Sequence, residues 1–253
     1  MLTCSHHLAL AMYLLAGAWL VRTTLAVSCD PESVEREQCA QAIASIVYDQ
    51  PKNILDRASS VFGKLSGNCT IIVFNFDKVV ATKQQIEAGY KSIFEQCLPH
   101  SGSTRLSNGV FLQIQDHQLG QDREYFPPRT LTCGLNSNAP LTVDKDCQDA
   151  FDSIPVDRQG RLLGDKGQPA ASILKTLKTC TVLIYTTDES PLIAKKSEIG
   201  PVVSRTIKEC KGKSGVIGLS KGGSGNNGLT VVKVRSSKPC GGKTDSEGQH
   251  CVP

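Results

Sequence analysis

The residues whose types could do chemistry are one serine motif with its followers and a set of eleven cysteines. Gly218-Leu219-Ser220-Lys221-Gly222 matches G-x-S-x-G, and Asp245 and His250 follow it in hydrolase order. In that reading Ser220 attacks an acyl carbon, His250 takes its proton and Asp245 orients the imidazole, which makes an extracellular serine hydrolase the alternative function. A nucleophile elbow, however, needs a strand before the serine and a helix after it. Here Gly222-Gly223-Ser224-Gly225-Asn226-Asn227-Gly228 follows, which predicts a flexible hairpin loop and no catalytic site. Gly212-Lys213-Ser214 and Gly242-Lys243-Thr244 imitate the end of a phosphate loop, but Ile207 and Ser237 stand where its first glycine belongs. Asp144, Asp146, Asp149 and Asp152 gather near a helix start, where the macrodipole and solvent account for acids without catalysis. The expectation is a protein that is not an enzyme and uses no cofactor.

Cysteine usage turns on compartment. Leu8 to Val21 is an apolar run of fourteen residues, short of the roughly 20 a membrane-spanning helix needs. Small residues end the segment at Thr24-Leu25-Ala26, so residues 1–26 read as a signal peptide cleaved after Ala26 and the mature chain as secreted. No later segment reads as membrane-inserting. Cleavage removes Cys4 and leaves Cys29, Cys39, Cys69, Cys97, Cys133, Cys147, Cys180, Cys210, Cys240 and Cys251, an even set that reads as disulfides. No C-x-x-C pair exists and few histidines remain, so a metal site is not expected. Asn68-Cys69-Thr70 is a glycosylation sequon with an awkward central cysteine.

The cysteine spacings reveal an internal duplication. Cys39-x-x-Ala42-Ile43-x-Ser45-Ile46 matches Cys147-x-x-Ala150-Phe151-x-Ser153-Ile154, and Cys69-Thr70-Ile71-Ile72-Val73-Phe74 matches Cys180-Thr181-Val182-Leu183-Ile184-Tyr185. Val80-Ala81-x-Lys83-x-x-Ile86 matches Ile193-Ala194-x-Lys196-x-x-Ile199, and Asn108-Gly109-Val110 matches Asn227-Gly228-Leu229. The division is a first module at 27–115, a polar linker at 116–130, a second module at 131–236 and a cysteine-containing tail at 237–253.

Each copy must position these residues with few elements. Cys39, Ala42, Ile43 and Ile46 recur with helical spacing, as do Ile86, Tyr90, Ile93, Phe94 and Cys97, and in the second copy Ile199, Val202, Val203, Thr206, Ile207 and Cys210. Short β-branched runs after the third cysteine of each copy, around the first and after the second helix predict strands. The order strand, helix, strand, helix, strand, strand predicts an α+β class of two tandem ferredoxin-like sandwiches, each a small antiparallel sheet with two helices on one face. Four cysteines per copy allow three connectivities. The favoured one joins strand cysteines (Cys29 with Cys69, Cys133 with Cys180) and helix cysteines (Cys39 with Cys97, Cys147 with Cys210), leaving Cys240 with Cys251.

Residues 27–130 hold 10 basic and 12 acidic side chains, net −2, whereas residues 131–253 hold 17 and 12, net +5. The surplus gathers at Lys195, Lys196, Lys208, Lys211, Lys213 and Lys221, a candidate partner-binding face. Without interleaved aromatics it does not read as a nucleic-acid surface. Aromatics make up only 5% of the chain, which argues against a large aromatic-walled ligand site.

Taken together, the D/Q-C-x-x-A-x-x-S-I helix, the C-T-aliphatic strand, the helix ending in cysteine and the final N-G-aliphatic strand resemble the small cysteine-rich secreted proteins of fungi, the necrosis-inducing extracellular effectors and the killer toxins of smut viruses. Cys133-Gly134, Asp146-Cys147, Cys180-Thr181-Val182 and Cys210 carry the resemblance most directly. It implies a compact α/β sandwich, secretion with possible onward delivery into host tissue, no cofactor, and action by binding a host or competitor protein or cell-surface component. A membrane-active toxin is a further alternative, and a monomer is expected.

Overall fold

In the computed structural model, residues 26–117, 128–134 and 139–238 are described. The leader up to residue 25, most of the linker, and Cys240, Asp245, His250 and Cys251 lie outside the described residues. The first copy forms β1 (Val27–Ser33), α1 (Arg36–Ala44), β2 (Val61–Ser66), β3 (Cys69–Phe74), α2 (Lys83–Cys97), β4 (His100–Arg105) and β5 (Phe111–Asp116). The second repeats the order as β6 (Thr132–Cys133), α3 (Asp144–Asp152), β7 (Ser172–Leu177), β8 (Cys180–Thr186), α4 (Lys196–Cys210), β9 (Gly215–Leu219) and β10 (Thr230–Ser236). Two antiparallel five-stranded sheets result, ordered β1-β4-β5-β3-β2 and β6-β9-β10-β8-β7. The α+β class is as expected. The edge strands β2 and β7 add a fifth strand to each sheet that hydrophobic patterning does not reveal, because β7 buries only Ile173 and β2 carries Gly63 and Lys64.

Side-chain alternation puts both helices on one face of each sheet. Cys69, Ile71 and Val73 of β3 share a face, and Ile71 pairs with Ile114 and Val73 with Leu112 on β5. Cys69 is bonded to Cys39 of α1, and a side chain at Gly89 of α2 would collide with Leu112. Both helices therefore cover the same side. In the second sheet Cys180, Val182 and Ile184 do the same, beside Val232 and Val234. α2 begins with a capping box, Thr82 with Gln85. Its buried Tyr90 donates its hydroxyl to the Ile72 carbonyl at 2.9 Å, and burial pushes that phenol well above its ordinary range.

The bridges are Cys29–Cys97, Cys39–Cys69, Cys133–Cys210 and Cys147–Cys180. All close within a copy, but the favoured strand-to-strand and helix-to-helix pairing is wrong. Sheet order explains why: β1 is separated from β3 by β4 and β5, about 14 Å at roughly 4.8 Å per strand, beyond the reach of a disulfide. Cys29 instead lies beside β4, which directly follows α2 and so meets Cys97. The helix α1 lies over β2 and β3, where Cys39 meets Cys69. On the chain-entropy model, loops of 30 and 68 residues correspond to about 3.6 and about 4.4 kcal/mol of stabilisation.

Candidate functional site

Beyond Ser220 the chain does not enter a helix. The strand β9 ends at Leu219, Ser220 is exposed, and the next element is β10. No nucleophile elbow forms, and Asp245 and His250 lie outside the described residues. The loop that follows is not the flexible hairpin its glycines predict; it docks on the first copy. Asn227 is fully buried. Its side chain accepts from the Val47 N–H at 2.8 Å and donates to the Val47 carbonyl at 2.9 Å and to Asp56 at 3.3 Å. Lys64 donates to the Asn227 carbonyl at 2.8 Å, and the Asn226 side chain donates to Asp49 at 2.7 Å.

Alongside the loop, the turn after β8 completes a polar seam. The Ser60 N–H donates to the Asp188 carbonyl at 3.0 Å. Ser59 Oγ lies 2.9 Å from Asp56 Oδ2 and 2.8 Å from Asp188 Oδ2, so a buried carboxylate from each copy converges on one hydroxyl. Asp56 is further held by the N–H groups of Ala58, Ser59 and Asn226, and Asp188 by Ser190. Glycine is required here for approach: a Cβ at Gly225 or Gly228 would run into the Asp188 carboxylate.

The six lysines singled out by sequence do not share one patch. α4 has 15 residues, about 21 Å from end to end, and separates them into two groups. Lys195 and Lys196 stand at its N-terminal end, near Lys221, whose neighbour Gly222 accepts N–H groups from Ile193 and Ala194. Lys196 is structural: it donates to the Asp152 and Ile154 carbonyls at 2.6 and 2.9 Å and lies 5.5 Å from the Phe151 ring centroid, capping the end of α3. Lys208, Lys211 and Lys213 are exposed at the other end. Lys211 takes a left-handed conformation there, and Gly212 follows at φ +78° with Thr142 bonded to its carbonyl, so the chain turns sharply and fans these lysines outward. No ion pair involves them among the described residues.

Of the acids of α3, Asp144 and Asp146 stand in the first turn, where the dipole favours them, and Asp152 ends the helix. Asp146 accepts from Thr179 Oγ1 at 2.6 Å, which holds its carboxyl below the usual range, and Asp149 pairs with Lys145. Asn68 is exposed at the turn between β2 and β3, while Cys69 of its sequon is buried in a bridge. Among the described residues no His, Cys, Asp and Glu group suits a metal ion, and no helix is long and apolar enough to cross a membrane.

Sequence reasoning also missed an aromatic cleft. Phe74, Phe76 and Phe111 line a cleft of about 310 Å3 at the end of the first sheet, with Asn75, Asp77 and Arg105 on its walls. The rings of Phe76 and Phe111 stand 5.8 and 5.6 Å from that of Phe74, and Arg105 lies over Phe111 at 5.7 Å. Phe76 is 63% exposed. The signal was Phe74-Asn75-Phe76, outweighed by the low overall aromatic content.

No family model matches the chain, and no curated protein matches it. Among solved structures it is similar to the tandem DUF26 ectodomains of the Arabidopsis thaliana cysteine-rich receptor-like proteins PDLP8 and PDLP5. Each is 11% identical with a TM-score of 0.29, covering 85% of this chain and 98% and 100% of theirs. Those neighbours are plant receptor-like ectodomains, not members of the fungal effector or killer-toxin families. What the chain itself displays is a cysteine-rich pair of disulfide-stapled α+β units.

Proposed function

We propose that the protein is a secreted, non-enzymatic effector or killer-toxin-like protein that binds an acidic component of a host or competitor cell surface through Lys208, Lys211 and Lys213. One observation carries this reading. The duplicated helices α2 and α4 end on equivalent cysteines, and the positions matching the three lysines in the first copy are Glu95, Leu98 and His100. The two copies keep the same scaffold, yet at these three positions only the second carries lysines. Secretion is supported by the apolar leader and by the four bridges.

Three exposed charges at about 0.5–1 kcal/mol each amount to roughly 10- to 100-fold in affinity. The test is binding of labelled protein to intact cells, comparing wild type with the triple variant Lys208→Gln, Lys211→Gln, Lys213→Gln at low and high salt. The reading predicts at least tenfold weaker binding by the variant and a flatter salt dependence. Equal binding by both proteins would overturn it.

A further inference from the structure

The second copy gathers three loops at the end of its sheet away from the seam. β8 starts there at Cys180 and runs seven residues to Thr186 beside the joint, about 20 Å at roughly 3.4 Å per residue. The segment before α3, the β7–β8 turn and the turn after α4 meet at this end, and hydrogen bonds fasten them together. The Thr142 N–H and hydroxyl both donate to the Gly212 carbonyl, at 2.8 and 3.2 Å, and the Val143 N–H donates to Thr179 Oγ1 at 2.9 Å. Ser237, just past β10, donates its N–H to the Thr179 carbonyl at 3.0 Å and its hydroxyl to the Lys178 carbonyl.

Apolar side chains stand out from these loops: Leu141 is 65% exposed, Val143 52% and Leu177 36%. Lys178, Lys208, Lys211, Lys213 and Lys238 are exposed around them. Of the nearby acids, Asp144 is exposed, Glu209 is taken up by Arg205, and Asp146 is buried with Lys178 3.9 Å away. The fold does not dictate this surface, because the first copy builds the same loops from other residues. The Val34 N–H donates to the Pro99 carbonyl as Thr142 does to Gly212, and Glu35 and Val143 are both helix N-caps. Leu141 and Val143 therefore stand where the first copy has Ser33 and Glu35. Ser66 pairs with Cys69 as Leu177 pairs with Cys180, so Leu177 and Lys178 stand where it has Ser66 and Gly67. Positions that are polar, acidic or side-chain-free in the first copy are apolar or basic in the second.

We propose that this end of the second copy docks on anionic phospholipid bilayers, with Leu141, Val143 and Leu177 entering between the headgroups and the five lysines lying against the headgroup phosphates and carboxylates. The inference rests on the reading above, that Lys208, Lys211 and Lys213 meet an acidic component of a cell surface, and it names that component. Charge and apolar tips select it together. An acidic polysaccharide satisfies the lysines but leaves Leu141 and Val143 against water, whereas a bilayer interface accepts both. A small apolar contact alone holds a protein to a membrane only marginally, and a basic cluster beside it is the second signal that attachment needs. Each lysine close to an anionic leaflet contributes about fivefold in affinity.

Flotation of the purified secreted protein with vesicles tests this, using phosphatidylcholine alone and its equimolar mixture with phosphatidylserine. Wild type is expected to float with the mixture and not with phosphatidylcholine. The double variant Leu141→Ser, Val143→Ser is expected to bind the mixture about tenfold more weakly at every salt concentration. Both positions are exposed and serine suits the N-cap at 143, so the fold is kept. The chain's single tryptophan is Trp19 in the leader, so in the mature protein Leu141→Trp reports alone, and its emission is expected to shift to the blue when the mixture is added. A wild type that stays off the mixed vesicles, a double variant that binds them as tightly as wild type, or an unshifted Leu141→Trp emission would overturn the proposal. Cell binding read alongside separates this inference from the reading beneath it. Lysine-dependent binding to cells by a protein that ignores mixed vesicles overturns the bilayer and keeps an acidic target of another kind, polysaccharide or protein. A triple lysine variant that binds cells like wild type overturns the reading itself.

Discussion

Asn227→Ala is the perturbation that most directly measures what the seam contributes. The side chain is fully buried and makes two bonds to Val47 at 2.8 and 2.9 Å and one to Asp56 at 3.3 Å. A net hydrogen bond is worth about 1 kcal/mol, and a partner left buried without one costs about 1–3 kcal/mol. Val47 as a residue is 46% exposed and its bonds to Asn227 are only part-buried, so water can reach part of the vacated site and the larger penalties do not apply in full. The expected loss is about 3 kcal/mol. For a protein of this size each kcal/mol moves the midpoint by about 2–4 °C, giving a fall of about 6–12 °C. Scanning calorimetry with the bridges intact is the assay. Because the lost bonds join the two copies, the endotherm is also expected to broaden or split. Asn108→Ala is the internal control, since Asn108 lies in the corresponding turn before β5 of the first copy but only bonds the Val80 carbonyl and the Val110 N–H at the surface. Its effect is expected to be below about 0.5 kcal/mol. A fall for Asn227→Ala no larger than for Asn108→Ala would refute the claim that this loop fastens the two copies.

Other outcomes follow from the same structure. Burial and the nearby Arg235 pull the Lys233 ammonium down to about 8. The unfolded chain then binds more protons between about pH 8 and its ordinary value of 10.5, so stability rises with pH across that window; denaturant titrations of wild type and Lys233→Met should converge or cross as pH climbs from 7 to 10, and a constant difference would contradict this. Asp146 has the opposite sense: its carboxyl is held low by Thr179, so its contribution is present above the unfolded value and disappears as pH falls through the folded one, an acid sensitivity that Asp146→Asn should remove. Gly212→Ala puts a side chain at φ +78° and against the Thr142 carbonyl, and a loss of about 1–3 kcal/mol is expected in guanidinium unfolding. Ser220→Ala is expected to leave every measured activity unchanged, and a specific loss of ester hydrolysis would revive the hydrolase alternative.

The duplication and the sheet-and-helix class were legible because they rest on repeated spacings: cysteines, helical faces and β-branched runs. What was not legible depends on distance in space. The disulfide partners follow from sheet order, which places β4 beside β1, and no local pattern carries that information. The edge strand β7 escaped because an edge needs only one buried residue, Ile173, and otherwise reads as a polar connection. The seam joins Val47 to Asn227 and Ser59 to Asp188 across separations of 180 and 129 residues. Asn108-Gly109 and Asn227-Gly228 read as aligned repeats, but strand pairing sets them one residue out of step, since Phe111 faces Phe74 and Val231 faces Tyr185, and one turn is at the surface while the other is a buried anchor. The phenylalanine cleft shows the converse limit: a low aromatic total says nothing about where three rings converge.

Disulfide mapping by non-reducing peptide mass spectrometry of the secreted protein tests the central claim, that the molecule is two separately stapled copies of one unit. The account predicts Cys29 linked to Cys97, Cys39 to Cys69, Cys133 to Cys210 and Cys147 to Cys180. Any bridge running from the first copy to the second, or the pairing of Cys29 with Cys69, would contradict it.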